Sequence, residues 1–585
     1  MRRLLLLLAA AAVLGVPATA TAATPRPFVY VVVMDGLDGD RVDAGEAPFV
    51  SSLLAGQGAH AAYYRESRSA MVAETNPNHT AMVTGAYPTR SGVYANGFAV
   101  YHPLENDDSC RPTGPRDVTK PPHETSGENA NCIQAETIFA AIRKQGNPDG
   151  LVTAGIFGKP KLAKLFDTRQ ASAPRRDLDY IWAPCTPDEA RTDYCESVPS
   201  VPRYGYAFLD SQPMDAVLRS IRDGVPVPGA ARRRPDLTFV NLPEIDNAGH
   251  VFSTATGAYT QAISDSDAQI KRLVDELRAR GEWSRSVLVL LSDHSMETTL
   301  TKTSMDDAFP AAGIPKSDFM AIGKSGVDLI YLTNRASPSR FDKLKRMRAA
   351  ALATGNVSEA LYREPNPLDG GSANTLDGRH PEWHAAGERG PDLFLTHRPG
   401  GSFSDPDPDD QPLPGHHGAP QTRDNFFAVI GGAEHVVRQD RAGTRAPDFD
   451  DTAANPRQAE NVDVAATVMG LFGLAAPAQD QGRFLGEAFD GRRLPGHAAP
   501  ARPGLSVRKG RGYRYRATFT GGAVFDLDVR RGKRVFRRVS QVRTSAVAFP
   551  RPRGRRLRLY LRTTAASGVR SYPAAMTVGP PRRRR

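Results

Sequence analysis

The stretch FVYVVVM occupies residues 28–34 and is followed directly by Asp35 and Gly36. A continuous run of β-branched and apolar residues is typical of a strand buried on both faces of a parallel sheet. Open α/β sheets bind their ligands at the carboxyl ends of such strands. The stretch therefore predicts a parallel sheet with Asp35 at its ligand-binding edge, although a plain Asp-Gly turn explains this piece equally well.

Two further apolar runs end in an acid with a histidine close behind. Residues 237–241 lead to Asp246 and His250, and residues 286–291 lead to Asp293 and His294. Helical patterns occur elsewhere in this part of the chain, at residues 134–144, 213–222 and 259–280. The alternation predicts an α/β sandwich around a mostly parallel sheet. Because parallel strands end at one edge, we expect the acids to lie close together, with the 246–250 segment in a loop.

Residues 74–80 read ETNPNHT and carry a candidate nucleophile. Pro77 predicts that the residue before it is not helical, and Asn78 is a good cap for a helix that begins near His79. Thr75 would then lie just before a helix N-terminus, which attracts anions, and its hydroxyl could attack a phosphoryl group. An ordinary turn into a helix explains the same residues.

The acids and histidines at this edge have the chemistry of metal ligands. Zinc accepts carboxylate oxygen and imidazole nitrogen. Six such residues are available: Asp35, Asp246, His250, Asp293, His294 and one of His416 and His417. They suffice for two ions, which together can hold the attacking and leaving oxygens of a phosphoryl transfer and support a threonine nucleophile. We expect two Zn²⁺, with Mn²⁺ or Fe as alternatives.

These motifs, in this order, resemble the alkaline phosphatase superfamily and most closely its nucleotide pyrophosphatase/phosphodiesterase branch. The motifs are Asp35, Thr75-x-Pro77-Asn78-His79, Asp246-x-x-x-His250, Asp293-His294 and His417-Gly418. The resemblance covers roughly residues 28–490. It implies an alkaline-phosphatase-like α/β sandwich and a zinc-dependent hydrolase of small phosphorylated substrates.

The resemblance also implies a role for each site residue. Thr75 would become transiently phosphorylated, Asn96 would donate a hydrogen bond to a phosphate oxygen, and Asn78 would bind substrate and shape the turn. One zinc would be held by Asp35, Asp293, His294 and Thr75, and the other by Asp246, His250 and His417. We choose His417 over His416 because the family's motif is His-Gly.

Two departures from the family leave the substrate open. Asn76 follows the nucleophile where nucleotide-cleaving members usually have an aromatic residue, and Ser91 stands where a histidine is frequent. The sequence Thr-Asn-Pro-Asn is also similar to phosphonoacetate hydrolases. We therefore predict a secreted hydrolase of phosphodiester or pyrophosphate bonds, with a phosphomonoesterase or a phosphonoacetate-hydrolase-like enzyme as alternatives. An inactive secreted protein that binds a phosphate ligand is the alternative from another class.

Charge divides the chain of 585 residues, whose net charge is +11, into two parts. Residues 501–585 contain 24 lysines and arginines against two acids, Asp526 and Asp528. Apolar residues there alternate with cationic ones, which predicts a small all-β domain with a cationic face. The face would attract an anionic cell-surface polymer or lipid, without specific nucleic-acid recognition, although solvated charge without a ligand explains the same residues equally well. We expect a catalytic domain at 27–495, a basic domain at 504–578 and a basic tail at 579–585.

The N-terminus and the cysteines predict export. Residues 1–23 combine arginines, an apolar run and small residues, as a signal peptide does, and no later run is long enough to span a membrane. We therefore expect a secreted or extracytoplasmic protein, with cell-surface association as an option. Among three connectivities for four cysteines, we predict the nearest-neighbour pairs Cys110–Cys132 and Cys185–Cys195.

Overall fold

The computed structural model describes most of the chain from Arg26 onward. The described residues are 26–101, 110, 122–125, 127–145, 150–168, 177–184, 195–196, 209–227, 230–323, 325–403, 414–432, 459–489, 502–510, 514–522, 524–532, 534–542, 544–550, 556–564 and 574–579. The predicted signal peptide lies outside them, as does the end of the predicted basic tail. None of the helices within these ranges has both the length and the apolar character needed to cross a bilayer.

Eight strands form the central sheet. They are β1 (Phe28–Met34), β2 (His60–Tyr63), β3 (Thr153–Phe157), β4 (Tyr180–Pro184), β5 (Cys195–Glu196), β6 (Leu237–Leu242), β7 (Ser286–Leu291) and β8 (Phe427–Gly431). Their order is β2-β8-β7-β1-β6-β3-β4-β5; β8 runs antiparallel to β2 and β7, and all other adjacent strands are parallel. The prediction of a mostly parallel central sheet is confirmed.

Helices cover both faces of this sheet. The helices among the described residues span Gly39–Asp43, Pro48–Leu54, Thr75–Thr84, Pro88–Ser91, Ile138–Lys144, Pro160–Phe166, Ser211–Asp223, Glu244–Phe252, Gly257–Ala279, Met305–Ala311, Arg340–Ala353, Leu376–Arg379 and Asp463–Phe472. Those at Met305–Ala311, Arg340–Ala353 and Leu376–Arg379 pack with a separate antiparallel sheet instead. Val31 of β1 packs with helices Thr75–Thr84 and Asp463–Phe472 on one face. Val32, the next residue, packs with helix Gly257–Ala279 on the other. The predicted α/β sandwich is therefore the observed architecture.

Two local predictions were wrong. The helix expected near His79 begins four residues earlier, at Thr75. Pro77 is the third residue of that helix, where a backbone N–H has no partner within the helix, so proline is tolerated there. The segment that carries Asp246 is helical rather than a loop; Gly249 within it allows close packing against Met296.

Further sheets lie beside the central one. An antiparallel sheet has the order Phe319–Ile322, Val327–Leu332, Leu393–His397, Val357–Tyr362. Short pairs join Glu297–Thr298 to Gly415–His416, Thr301–Thr303 to Gly401–Phe403, Phe98–Val100 to His123–Thr125, and Val225–Val227 to Ala230–Arg233. The predicted Cys110–Cys132 disulfide is present. Cys185 lies outside the described residues, so the second pair stays a prediction.

The basic C-terminal region is all-β, as predicted. Its strands are β9 (Gly504–Gly510), β10 (Arg514–Thr520), β11 (Val524–Arg531), β12 (Arg534–Val542), β13 (Ala546–Pro550), β14 (Leu557–Thr564) and β15 (Ala574–Val578). They form the antiparallel sheets β9-β10-β13 and β12-β11-β14-β15. Inward side chains of both sheets share one apolar core, in which Phe519 contacts Phe525 at 5.3 Å between ring centroids.

Asp480 makes stability depend on pH. Burial and the charge of Asp463 raise its pKa from an ordinary 3.8 to about 8. The folded state therefore favours the neutral carboxyl, and the protein loses stability as pH rises from about 4 through 8. In Asp480→Asn we expect a smaller fall of the melting temperature between pH 5 and pH 9. Calorimetry at both pH values measures this; equal falls in the two proteins would contradict it.

Candidate active site

Two acids lie just beyond the ends of the neighbouring strands β1 and β7. Asp35 follows β1, Asp293 is the second residue after β7, and both are fully buried. Asp293 Oδ1 accepts hydrogen bonds from the backbone N–H groups of Gly36 at 3.2 Å and His294 at 3.1 Å. These bonds tie the two strand ends together and fix the carboxylate of Asp293. They leave its Oδ2 3.4 Å from the His294 ring nitrogen Nε2.

A second group of side chains comes from the helix Glu244–Phe252 and from His417, which directly follows the short strand Gly415–His416. Asp246 and His250 share one helix face because they are four residues apart. Asp246 Oδ1 lies 3.4 Å from His250 Nε2 and 3.5 Å from His417 Nε2. His250 Nδ1 is 3.0 Å from the carbonyl oxygen of Gly415. If Nδ1 donates to that carbonyl, Nε2 presents its lone pair to the other two side chains.

The structure separates the two adjacent histidines. The ring of His417 stacks on that of His294, with centroids 3.8 Å apart. His416 belongs to the short strand Gly415–His416, and its Nε2 lies 3.6 Å from Glu297 Oε1 instead. The contacts therefore favour His417 over His416 as the ligand in this cluster.

Thr75 is the first residue of its helix and is fully buried. Its Oγ1 lies 3.5 Å from His294 Nε2. Asn96 Oδ1 accepts the backbone N–H of Asn76 at 2.8 Å, which holds the Asn96 side chain close to Thr75. Asn78 instead donates to three carbonyl oxygens of its own turn, those of Ala70, Val72 and Glu74. Its carboxamide therefore shapes the turn, and direct substrate contact by Asn78 stays a prediction.

Lys159, which the sequence analysis did not single out, lies at the centre of the cluster. Its Nζ is 2.8 Å from Asp35 Oδ2 and 2.7 Å from Asp246 Oδ2, and it donates to Thr75 Oγ1 at 3.2 Å. Lys159 follows β3, so it comes from the same sheet edge as the acids. Lys161 is two residues further on, where burial and the charge of Lys159 lower its pKa.

His79 and Asn241 support the cluster from behind. Asn241 Nδ2 lies 2.8 Å from Asp35 Oδ2, to which it donates, and 3.2 Å from His79 Nε2. The other ring nitrogen of His79 is 2.9 Å from the Thr75 carbonyl oxygen and 3.5 Å from Asp293 Oδ2. His79 and Asn241 therefore hold Asp35, Asp293 and the helix that begins at Thr75 in place.

Burial keeps most of the imidazoles neutral. It lowers the pKa of His294 to about 4 and that of His79 to about 3. Burial and the neighbouring His294 hold the pKa of His417 well below its ordinary value. Burial also acts on His250, but the carboxylate of Asp246 outweighs it and raises the His250 pKa. Neutral imidazoles carry the lone pair that a metal ion needs.

The carboxylates respond to burial and to Lys159. Burial works to raise the pKa of Asp246, but Lys159 and His250 hold that pKa well below its ordinary value. Burial raises the pKa of Asp293 well above its ordinary value, and the charge of Asp35 adds to the rise. A divalent cation would relieve the repulsion among these acids more fully than one lysine does.

The geometry gathers all six predicted ligands and Thr75 within one buried cluster. Two sets of three ligand atoms each lie within 4.8 Å of one another: Asp246, His294 and His417, and Asp35, His79 and Asp293. His294 also borders the second set, with Nε2 3.7 Å from Asp35 Oδ1. Three buried carboxylate oxygens of the cluster have no hydrogen-bond partner among the described residues: Asp35 Oδ1, Asp246 Oδ1 and Asp293 Oδ2. Such a donor set fits divalent metal ions.

Two yeast proteins are similar in sequence to about half of this chain. In Saccharomyces cerevisiae, GPI ethanolamine phosphate transferase 1 is 21% identical over 291 residues, which are 48% of this chain and 26% of that protein. Ectonucleotide pyrophosphatase/phosphodiesterase 1 of the same yeast is 21% identical over 290 residues, 48% of this chain and 35% of that protein. The chain thus spans about a quarter to a third of the length of these relatives.

Solved structures share the fold. Murine ectonucleotide pyrophosphatase/phosphodiesterase 5 matches with a TM-score of 0.52 and 16% identity, over 77% of this chain and 95% of that one. Its inactive threonine-to-alanine variant in complex with AMP matches with a TM-score of 0.52 and 15% identity, over 77% and 96% of the two chains. A family profile described as type I phosphodiesterase / nucleotide pyrophosphatase matches residues 29–420. The chain belongs to the type I phosphodiesterase / nucleotide pyrophosphatase family.

Proposed function

We propose that the chain hydrolyses phosphate esters, at phosphodiester or pyrophosphate bonds, with Thr75 as the nucleophile. The observation that carries this proposal is the position of Thr75 Oγ1 at a helix N-terminus, 3.5 Å from His294 Nε2 and inside the cluster of acids. The inactive murine variant supports it, because that variant differs by a threonine-to-alanine substitution and is in complex with AMP.

The residues divide the reaction between them. Thr75 Oγ gives up its proton to water and forms a bond to phosphorus while the bond to the leaving oxygen breaks, and the leaving alcohol or phosphate takes up a proton from water. Asn96 and the backbone N–H of Thr75 at the helix N-terminus would hold the phosphoryl oxygens. A water molecule then attacks the phosphothreonine, inorganic phosphate or a phosphomonoester leaves, and Thr75 recovers its proton. His79 and Asn241 keep the acids in place throughout.

Two metal ions fit the donor set, and we propose Zn²⁺, with Mn²⁺ or Fe as alternatives. Asp35, Asp293 and His294 would hold one ion together with Thr75. The other ion would be held by Asp246, His250 and His417. When bound, such ions neutralise charge on the attacking and leaving oxygens.

Export and the domain boundaries complete the proposal. Residues 1–23 support secretion to an extracytoplasmic location. Residues 27–495 would form the catalytic unit, and residues 504–578 the basic β unit.

Hydrolysis of two nitrophenyl esters tests the proposed activity. The zinc-loaded mature protein should cleave bis-p-nitrophenyl phosphate faster than p-nitrophenyl phosphate, and chelation should stop both reactions. Cleavage of neither ester by a protein that contains its metals would contradict the proposal. Tight binding of a phosphate ester without turnover would then favour the inactive binding protein.

A second candidate is an enzyme for more highly charged substrates, such as phosphomonoesters or phosphonates. Lys159 favours it, because its ammonium group donates to Thr75 Oγ1 at 3.2 Å. A phosphodiester carries one negative charge, whereas a monoester carries up to two. The extra cation therefore contributes more to binding a monoester.

Lys159→Met separates the two candidates. Loss of a charge-assisted hydrogen bond corresponds to about 10- to 100-fold in kcat/KM. We expect this loss for the monoester and a smaller one for the diester. The matched control is Lys164→Met, which removes the same charge from an exposed position of helix Pro160–Phe166. Equal losses for both substrates would show that Lys159 does not select by substrate charge.

Glu74→Ala should lower kcat by about 10-fold or more through Asn96. The buried Glu74 carboxylate accepts the backbone N–H of Asn96 with Oε2 and the hydroxyl of Ser325 at 2.7 Å with Oε1. Glu74→Gln keeps an acceptor for Asn96, so we expect it to restore most of kcat. Steady-state kinetics with the diester measures both. If Glu74→Gln were as impaired as Glu74→Ala, the carboxylate charge would matter rather than positioning.

A further inference from the structure

The two C-terminal sheets differ in how their outer cations are neutralised. Strands β9, β10 and β13 contain no Asp or Glu. Both acids of residues 501–585, Asp526 and Asp528, belong to β11 in the other sheet. There Arg530 donates to Asp528 at 2.9 Å and lies over the ring of Tyr560. The outer face of the three-stranded sheet has no carboxylate of its own.

Three arginines define this cationic face: Arg508, Arg514 and Arg516. All three are exposed. Tyr515, between Arg514 and Arg516, and Ala517, which follows Arg516, are buried in the core. Arg508 lies directly opposite Arg516 on the neighbouring strand. Like charges in directly opposed positions destabilise a sheet. An external anion placed between these guanidinium groups would remove that repulsion.

The spacing of the arginines on this face favours a ligand with repeated anionic groups. Arg514 and Arg516 are two residues apart on one strand, which corresponds to about 7 Å. Guanidinium groups bind phosphate through two parallel hydrogen bonds. Several such groups in a row suit a chain of phosphates better than one small anion, which can neutralise only part of the row.

Two other anionic partners fit less well. Insertion into a lipid surface needs exposed apolar side chains, and the exposed large apolar residues among the described ones are Val251, Leu300 and Leu368, all outside these sheets. Single-stranded nucleic acids stack their bases on exposed aromatic rings. The aromatic residues of β10 and β13 are instead buried: Tyr515, Phe519 and Phe549.

We propose that the cationic face of Arg508, Arg514 and Arg516 binds a linear polyanion with phosphate groups along its backbone. Binding by this face is separate from the catalytic cluster and does not depend on turnover. It would hold the protein on a phosphate-rich polymer through many weak contacts, whose strength falls as salt rises.

Binding of the full-length mature protein to fluorescent inorganic polyphosphate tests the proposal. The triple variant Arg508→Thr/Arg514→Thr/Arg516→Thr should bind at least tenfold more weakly near physiological salt. The slope of log Kd against the logarithm of the salt concentration should be smaller by about three in this variant than in the wild type. The matched control Arg531→Thr/Arg556→Thr/Arg558→Thr removes the same charge from exposed positions outside the cationic face, and it should lose much less affinity.

Three results would overturn the proposal. Equal losses in the two triple variants would show that net charge alone binds polyphosphate. Equally tight binding of a thymidine oligonucleotide would indicate a nucleic-acid site, and preferential binding to phosphatidylglycerol vesicles would indicate a membrane surface. Thermal unfolding of each variant confirms that the sheets remain folded before affinities are compared.

Discussion

Replacing Thr75 by alanine is expected to lower kcat for bis-p-nitrophenyl phosphate by at least about 10³-fold, as removal of a catalytic nucleophile does in other enzymes. The hydroxyl supplies the oxygen that would form the covalent bond to phosphorus. His294 Nε2 at 3.5 Å and Lys159 Nζ at 3.2 Å contact that oxygen but do not replace it. Substrate binding should survive, because Asn96 and the helix N-terminus are unchanged.

Thr75→Ser is the matched control. Serine keeps the oxygen and loses only a methyl group, so we expect kcat within about tenfold of the wild-type value. Rapid acid quenching should trap phosphate on residue 75 in the wild type and in Thr75→Ser, and mass spectrometry would locate it. Substantial hydrolysis by Thr75→Ala would instead indicate direct attack by water and would remove Thr75 from the covalent step.

The acids of the site were predictable because of a property of parallel sheets. Continuous apolar runs identify strands buried on both faces, and the residue just after such a strand must lie at its carboxyl edge. The register confirms this reasoning: Val33 of β1 pairs with Asn241 of β6 and with Leu291 of β7. The following side chains are therefore level with one another. Asp35 and Asp293 meet there although they are 258 positions apart in the sequence.

Lys159 was predictable by the same rule, but the sequence analysis applied the rule only to acids and histidines. Residues 151–157 had the pattern of a strand, so Lys159 and Lys161 after it belonged to the same edge. By contrast, the supporting bonds of His79, Asn241 and Glu74 depend on distances across several elements. No local pattern encodes those distances. The helix start at Thr75 was misjudged because proline was read as a barrier, whereas a first helical turn accepts it.

Asp35→Asn should remove bound metal as well as activity. Asp35 Oδ1 is buried without a hydrogen-bond partner among the described residues, and Oδ2 contacts Lys159 and Asn241. An asparagine has the same shape, but its NH₂ group cannot accept a hydrogen bond or bind a metal ion. It must point either toward the donors Lys159 and Asn241 or toward the metal position, and it is unfavourable in both. We expect the metal content to fall from two ions per chain toward one, with kcat lower by at least about 10³-fold.

Asp40→Asn is the control for the Asp35 substitution, because Asp40 is exposed on the short helix that follows. It removes the same charge nearby and should leave both metal content and kcat unchanged. Zinc should also raise the melting temperature of the wild type, since a ligand that binds the folded state stabilises it. Asp35→Asn should lose part of that rise. Full metal content and a full rise in Asp35→Asn would mean that Asp35 serves Lys159 alone, and that the metal ions are held by the remaining five side chains.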